Sequence, residues 1–179
     1  MNLWHDISSG DNLPESMNVI IEVPKGSSNK YEIDKETGMI KLDRANYSAA
    51  AFPAEYGFVP RTLWEDGDAL DVIVLATFPI PSGILVKVRP VALMEMIDTG
   101  ESDYKIIGVP VDDKRWEDVQ DLNDVNKHTL KEIQHFFETY KALKGKPSLV
   151  EIHGFKGKSE AIEAINKSIQ LYNEKFPQK

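Results

Sequence analysis

Trp64-Glu65-Asp66-Gly67-Asp68-Ala69-Leu70-Asp71-Val72-Ile73-Val74-Leu75-Ala76 joins an acidic loop to the longest unbroken apolar run in the chain, Val72 to Ala76. A short, largely β-branched run of this kind reads as a buried strand. Asp71 stands at its entrance, where a charge needs a partner or a cation. Asp66, Asp68 and Asp71 fall around Gly67 and offer hard oxygen donors suited to Mg2+, Mn2+ or Ca2+. For Asp66 to Asp68 alone a solvated Asp-Gly turn is the commoner reading, and Asp71 beside the buried run is what weakens it. An EF-hand fails by counting. With Asp66 first, Asp71 stands where the turn glycine belongs and Thr77 where the closing glutamate belongs.

On either side of this stretch the pattern is strand-like. Asn18 to Val23 alternates and stops at Pro24, Tyr31 to Ile33 follows a polar stretch, and Thr37-Gly38 is a turn before Met39 to Leu42. Val86 to Ile97 is a longer alternating run, linked through Thr99-Gly100 to Tyr104 to Val111. The last third changes period. Leu130, Ile133, Phe137 and Tyr140 share a helical face, with Thr129 and Glu132 as a capping box and Lys144-Gly145-Lys146-Pro147 as the stop. Ser148 to His153 reads as a strand, and a final helix from Ser159 carries Ile162, Ile165, Ile169 and Tyr172. The expected class is α+β, a strand-rich body with two main helices near the C-terminus.

Bulk composition narrows the function. The 179 residues suit a single catalytic domain spanning 1–179, since roughly 150 residues make a domain. A formal charge of -8 argues against nucleic acid or an anionic membrane as partner. No cysteine is present, which excludes disulfides, thiol nucleophiles and Cys-built zinc sites. Neither a signal-like leader nor an apolar span is found, so a cytoplasmic location is expected.

Acid and base recur together on strand faces. Lys30 and Glu32 are two apart, as are Asp103 and Lys105, and each pair therefore points one way. Asp98 ends the long alternating run, and Glu22 shares a face with Ile20. Each pair by itself reads as a surface salt bridge. Converging, they would give carboxylates for cations and ammonium groups for phosphate oxygens. A competing motif lies at Gly154-Phe155-Lys156-Gly157-Lys158-Ser159. Its glycines are too close for a phosphate-binding P-loop, and too little chain follows for the parallel sheet that loop serves. A non-catalytic acidic binding module accounts for the charge but not for the interleaved lysines.

The residues just quoted resemble the soluble family I inorganic pyrophosphatases, in the short prokaryotic form. Asp66-Gly67-Asp68-Ala69-Leu70-Asp71 matches the acids of the family's D-x-D-x-x-D signature. Glu22 in Val19 to Pro24, Lys30 to Lys35, Asp43-Arg44, Pro53-Ala54-Glu55-Tyr56-Gly57-Phe58, Asp98 to Lys105 and His135 to Lys141 follow in the family's order. The chain departs at Ala69, where the signature has Pro or Glu, and at Phe52, where many relatives have Tyr. The resemblance implies a five-stranded OB-like barrel with additional short strands, and Mg2+-dependent hydrolysis of pyrophosphate. Several ions are implied, with Mn2+ or Zn2+ as substitutes, and so is a homohexamer. It implies Asp66, Asp71, Asp98, Asp103 and Glu32 as metal ligands, with Glu22 behind them. It further implies Asp68 as general base and Tyr56 beside the reacting atoms. Lys30, Arg44, Lys105, Tyr140 and Lys141, together with Tyr56, are the implied phosphate-binding groups.

Overall fold

Leu85–Asp98 is a 14-residue strand whose edges organise the molecule. In this computed structural model, which describes residues 1–145 and 149–177, eight further strands and two helices surround it. In chain order they are β1 (Met17–Val23), β2 (Asn29–Ile33), β3 (Ile40–Ala45), β4 (Glu55–Phe58) and β5 (Asp71–Val74). The long strand is β6, followed by β7 (Glu101–Ser102), β8 (Lys105–Pro110), α1 (Lys127–Thr139), β9 (Val150–Lys156) and α2 (Lys158–Lys175).

Five of these strands close on themselves. β1 pairs β4, β4 pairs β5, β5 runs parallel to β8, β8 pairs β6, and β6 returns to β1. The closure is uneven, because β1 meets β6 only from Met17↔Val88 to Ile20↔Leu85. Farther along the strand, β9 takes over by pairing with Leu93 to Asp98. The expected five-stranded OB-like barrel is what the backbone forms, with β2 and β3 as a separate two-stranded hairpin. Closure removes most open edges, so the strands can be apolar without inviting other chains.

β4 was not anticipated as a strand, and Gly57 shows why it pairs. A Cβ there would lie 2.1 Å from the Ile20 carbonyl oxygen. Only a glycine lets β1 approach so closely.

The helices pack against opposite faces of the same strands. Ile133, Phe136 and Phe137 of α1 pack with Phe52, Tyr56 and Ile107. Ala161, Ala164 and Ile165 of α2 pack with Val72, Leu93 and Ile106. Each large side chain buried this way contributes roughly 1.5–3 kcal/mol. The expected Thr129–Glu132 capping box is not used. Asn126 caps α1 instead, accepting from the N–H groups of His128 and Thr129, because its short amide reaches the free donors of the first turn. α1 stops at Thr139, before Lys144 and Gly145. Lys146, Pro147 and Ser148 lie outside the described residues, and the strand expected from Ser148 is seen from Val150. Among the described residues no helix is long and apolar enough to cross a membrane.

Candidate active site

Strand register brings the first polar group together. Asp71, which opens β5, stands directly opposite Lys105, which opens β8. Lys105 is 1% exposed, and its ammonium has three donors to satisfy. They go to Asp71 Oδ2 at 2.8 Å, Asp103 Oδ1 at 2.8 Å and the Tyr56 hydroxyl at 3.0 Å. Tyr56 in turn donates to Asp71 Oδ2. The rings of Tyr56 and Phe137 flank the ammonium at 5.2 and 5.6 Å, adding cation–π attraction.

Burial alone would pull the Lys105 pKa down, but Asp103 and Asp71 outweigh it and hold the ammonium charged. Burial, followed by the charges of Asp71 and Asp103, pushes the Tyr56 hydroxyl well above its ordinary value. Asp103 is raised, by burial first, while Lys105 pulls it down and Asp71 pushes it up.

The acidic loop folds over this cluster by local bonds. Gly67 has φ +86°, a conformation open to glycine, and its N–H donates to the Trp64 carbonyl at 3.0 Å. The N–H of Trp64 donates to the Asp68 carbonyl at 2.7 Å. Asp66 Oδ1 accepts the N–H of Asp68 at 3.0 Å. Burial lifts Asp66 to about 6, with Asp71 and Asp68 adding to the rise and the Asp68 N–H opposing it. Asp68 itself is exposed. Behind the loop, Glu22 accepts the Ile33 N–H at 2.7 Å. Burial and then Asp71 push Glu22 up to about 8.

Cations form the opposite rim. Lys30 meets Glu32 at 3.1 Å and Asp43 at 2.9 Å. Arg44 Nη1 donates to Asp43 at 2.7 Å, and its guanidinium lies over the Tyr47 and Tyr140 rings at 5.3 and 5.6 Å. Arg44 Nε and Nη2 are buried without a hydrogen-bond partner. That is costly unless an anion completes them. Lys141 pairs with Asp98.

These groups enclose an open cavity of about 660 Å3. Glu22, Lys30, Glu32, Tyr56, Asp66, Asp68, Asp71, Asp98, Asp103, Tyr140 and Lys141 all line it. Arg44 and Lys105 are not among the lining residues. Lys105 lies buried beneath its carboxylates, and Arg44 stands against the Tyr140 ring. Trp4, Asp34, Lys35 and Lys41 also line the cavity and were not anticipated. The period-two pattern that places Lys30 and Glu32 ends at Ile33, and Trp4 reads as a packing residue.

The wall chemistry suits divalent cations. Its carboxylates are hard oxygen donors. The raised values of Glu22, Asp66 and Asp103 mark negative charge that burial leaves undercompensated. Among the described residues no group of three or more acidic or histidine side chains is already placed to hold a metal ion.

Comparison with known proteins agrees with this geometry. Residues 19–173 match the model of the family described as inorganic pyrophosphatase. The chain belongs to the inorganic pyrophosphatase family. It is 47% identical over 164 residues to an inorganic pyrophosphatase of Thermus thermophilus, covering 91% of this chain and 94% of that one. It is equally 47% identical over 171 residues to soluble inorganic pyrophosphatase 5 of Arabidopsis thaliana, covering 96% and 78%. The Thermus thermophilus pyrophosphatase crystal structure superposes with a TM-score of 0.93 at 45% identity, covering 97% of this chain and 99% of that one. That of Helicobacter pylori gives 0.87 at 40%, covering 94% and 99%.

The competing motifs fall away with pyrophosphatase membership. Gly154, Phe155 and Lys156 belong to β9 rather than to a loop. At the start of α2, Asp121 Oδ1 accepts the Lys158 N–H at 2.9 Å, so a carboxylate already takes the place a phosphate would need.

Proposed function

We propose that this chain is a Mg2+-dependent inorganic pyrophosphatase, a single catalytic domain that hydrolyses pyrophosphate to two orthophosphates with Asp68 as general base. The observation that carries the reading is one cavity in which Asp66, Asp68, Asp71 and Asp103 face Lys30, Tyr140 and Lys141. Pyrophosphate is an anion entering a chain of charge -8, so like-charge repulsion has to be removed before water can attack phosphorus. Magnesium, with manganese or zinc as substitutes, would be held by Asp66, Asp71, Asp98, Asp103 and Glu32 with Glu22 behind them, neutralising charge and acidifying a water.

The chain's own groups do the rest. Asp68 sits at the exposed lip of the loop, where its carboxylate takes the proton from the attacking water. Oxygen adds to one phosphorus as the bridging P–O bond breaks, and the second phosphate leaves. Lys30, Tyr140 and Lys141 grip the phosphoryl oxygens, and Arg44, against the Tyr140 ring and outside the cavity lining, adds positive charge behind them. Lys105, fixed between Asp71 and Asp103, holds a positive field beneath the reacting centre. Tyr56 holds Asp71 and Lys105 in register and lines the cavity beside the substrate.

The same proposal includes a cytoplasmic location and assembly as a homohexamer. The reading is tested by phosphate release from pyrophosphate in Mg2+ buffer, with EDTA and with ATP as comparators. Release from pyrophosphate, preferred over ATP and stopped by EDTA, is expected. Preference for ATP, or no release, would overturn it.

A further inference from the structure

Asp34 to Met39 form the turn of the β2–β3 hairpin, and its backbone is tightly held. Asp34 N–H donates to the Met39 carbonyl at 2.8 Å and Gly38 N–H to the Asp34 carbonyl at 2.7 Å. Asp34 Oδ2 accepts both the N–H and the hydroxyl of Thr37, at 3.0 and 2.7 Å. The N-terminal segment pins the turn from outside, Leu3 N–H donating to the Gly38 carbonyl at 3.1 Å. On this fixed base one long side chain, Lys35, reaches across the cavity mouth. Its ammonium pairs with Asp68 and lies 3.3 Å from the Gly67 carbonyl.

Three hairpin lysines line the cavity, and they are not alike. Lys30 pairs with Glu32 and Asp43, and Lys41 with Glu32 and Asp34, all within the hairpin segment. Among the described residues, Lys35 is the one whose carboxylate partner lies on the opposite wall. Both members of that pair are 56% exposed, so water competes for each and the pair is easily parted. An ammonium bonded to Asp68 occupies one of its two carboxylate oxygens, Oδ1, and competes there with a water. An entering anion offers the ammonium oxygens of higher charge in the same place.

We propose that Lys35 is a substrate-binding residue that leaves Asp68 for a phosphoryl oxygen when the diphosphate enters. One exchange then grips the substrate and frees Asp68 to accept a proton, and before it the hairpin is latched to the acidic loop. The inference rests on the pyrophosphatase reading above and adds a ligand to it.

The test is Lys35→Met and Lys35→Arg against wild type, read as kcat and KM for pyrophosphate. Calorimetric binding of imidodiphosphate, which resists hydrolysis, gives a second readout. Lys35→Met is expected to raise KM and the imidodiphosphate Kd by about tenfold, the loss of one charge-assisted phosphate contact. Its kcat should stay within about threefold, and Lys35→Arg should restore binding. Both substitutions are at an exposed position, and an unchanged melting temperature shows that the fold is intact. KM and Kd within about twofold of wild type in Lys35→Met, or a fall in kcat alone, would overturn the Lys35 assignment while leaving the pyrophosphatase reading standing. Wild type that releases no phosphate would overturn both.

Discussion

The floor and the rim of the cavity use the same chemistry, carboxylate against ammonium, under opposite physical conditions. On the floor, Lys105 is 1% exposed and all three of its donors are taken by Asp71, Asp103 and Tyr56. At the rim, Lys35 and Asp68 are each 56% exposed and meet across open space. Charges removed from water cannot be parted cheaply, so the floor is a fixed field. Charges left in water exchange partners readily, so the rim can trade a carboxylate for a ligand. A site for a small, highly charged substrate needs both, a rigid field to receive it and mobile groups to admit it.

Lys105→Met should break that contrast most severely. It leaves Asp71 and Asp103 facing one another without their cation, and removing one partner of a buried pair costs about 3–5 kcal/mol. Urea unfolding should report this loss together with a collapse of activity.

A subtler effect is expected at Glu22 in metal-free protein. Its folded-state pKa, raised to about 8 by burial and Asp71, exceeds that of the unfolded chain. Its contribution is therefore fully present below the usual carboxylate range and lost as pH rises toward about 8. Glu22→Gln keeps an acceptor for the Ile33 N–H and removes that titration. Its melting temperature in EDTA should fall less than that of wild type as the pH rises across this window. Equal pH slopes in the two proteins would refute a buried, strained Glu22.

At the far end of the scale stands Lys114–Glu117, 89% and 55% exposed and away from the cavity. Glu117→Ala should change stability by less than about 1 kcal/mol and leave turnover unaltered, setting the baseline against which the floor is judged.

Much of this was legible in the sequence because burial writes itself as periodicity. Val72 to Val74 and the alternating run through β6 declare strands, and Ile133 with Phe137 declares the apolar face of α1. β4 stayed hidden because Glu55–Phe58 is four residues long and contains Gly57, whose value lies in a contact with β1 that no local pattern expresses. The cap of α1 was misplaced for a local reason, since Asn126 and Thr129 are both sound capping residues and only coordinates distinguish them.

At the site, Asp66, Asp68, Asp71, Asp98 and Asp103 line one cavity. Their convergence with Lys30 and Tyr140 depends on where the separate β2–β3 hairpin and the end of α1 sit against the barrel, which spacing cannot show. Lys35 falls within the quoted block Lys30 to Lys35 but is not among the site residues named from it, because it lies in a turn beyond the strand whose alternation places Lys30 and Glu32. Trp4 escaped because its indole is both buried and cavity-facing, with Nε1 donating to the Thr62 carbonyl at 2.8 Å. A bulky aromatic ring near a chain end carries no signal of that double placement.

The proton-accepting role of Asp68 is the most exposed claim, and Asp68→Asn puts it to a direct measurement. Mg2+ binding followed by calorimetry and phosphate release should be recorded on the same preparation. Retained cation binding and an unchanged melting curve, with kcat lowered by about 10²–10⁴, is the result expected when a general base is lost. Near-wild-type turnover in that variant would contradict it and return Asp68 to the rim as an ordinary surface carboxylate.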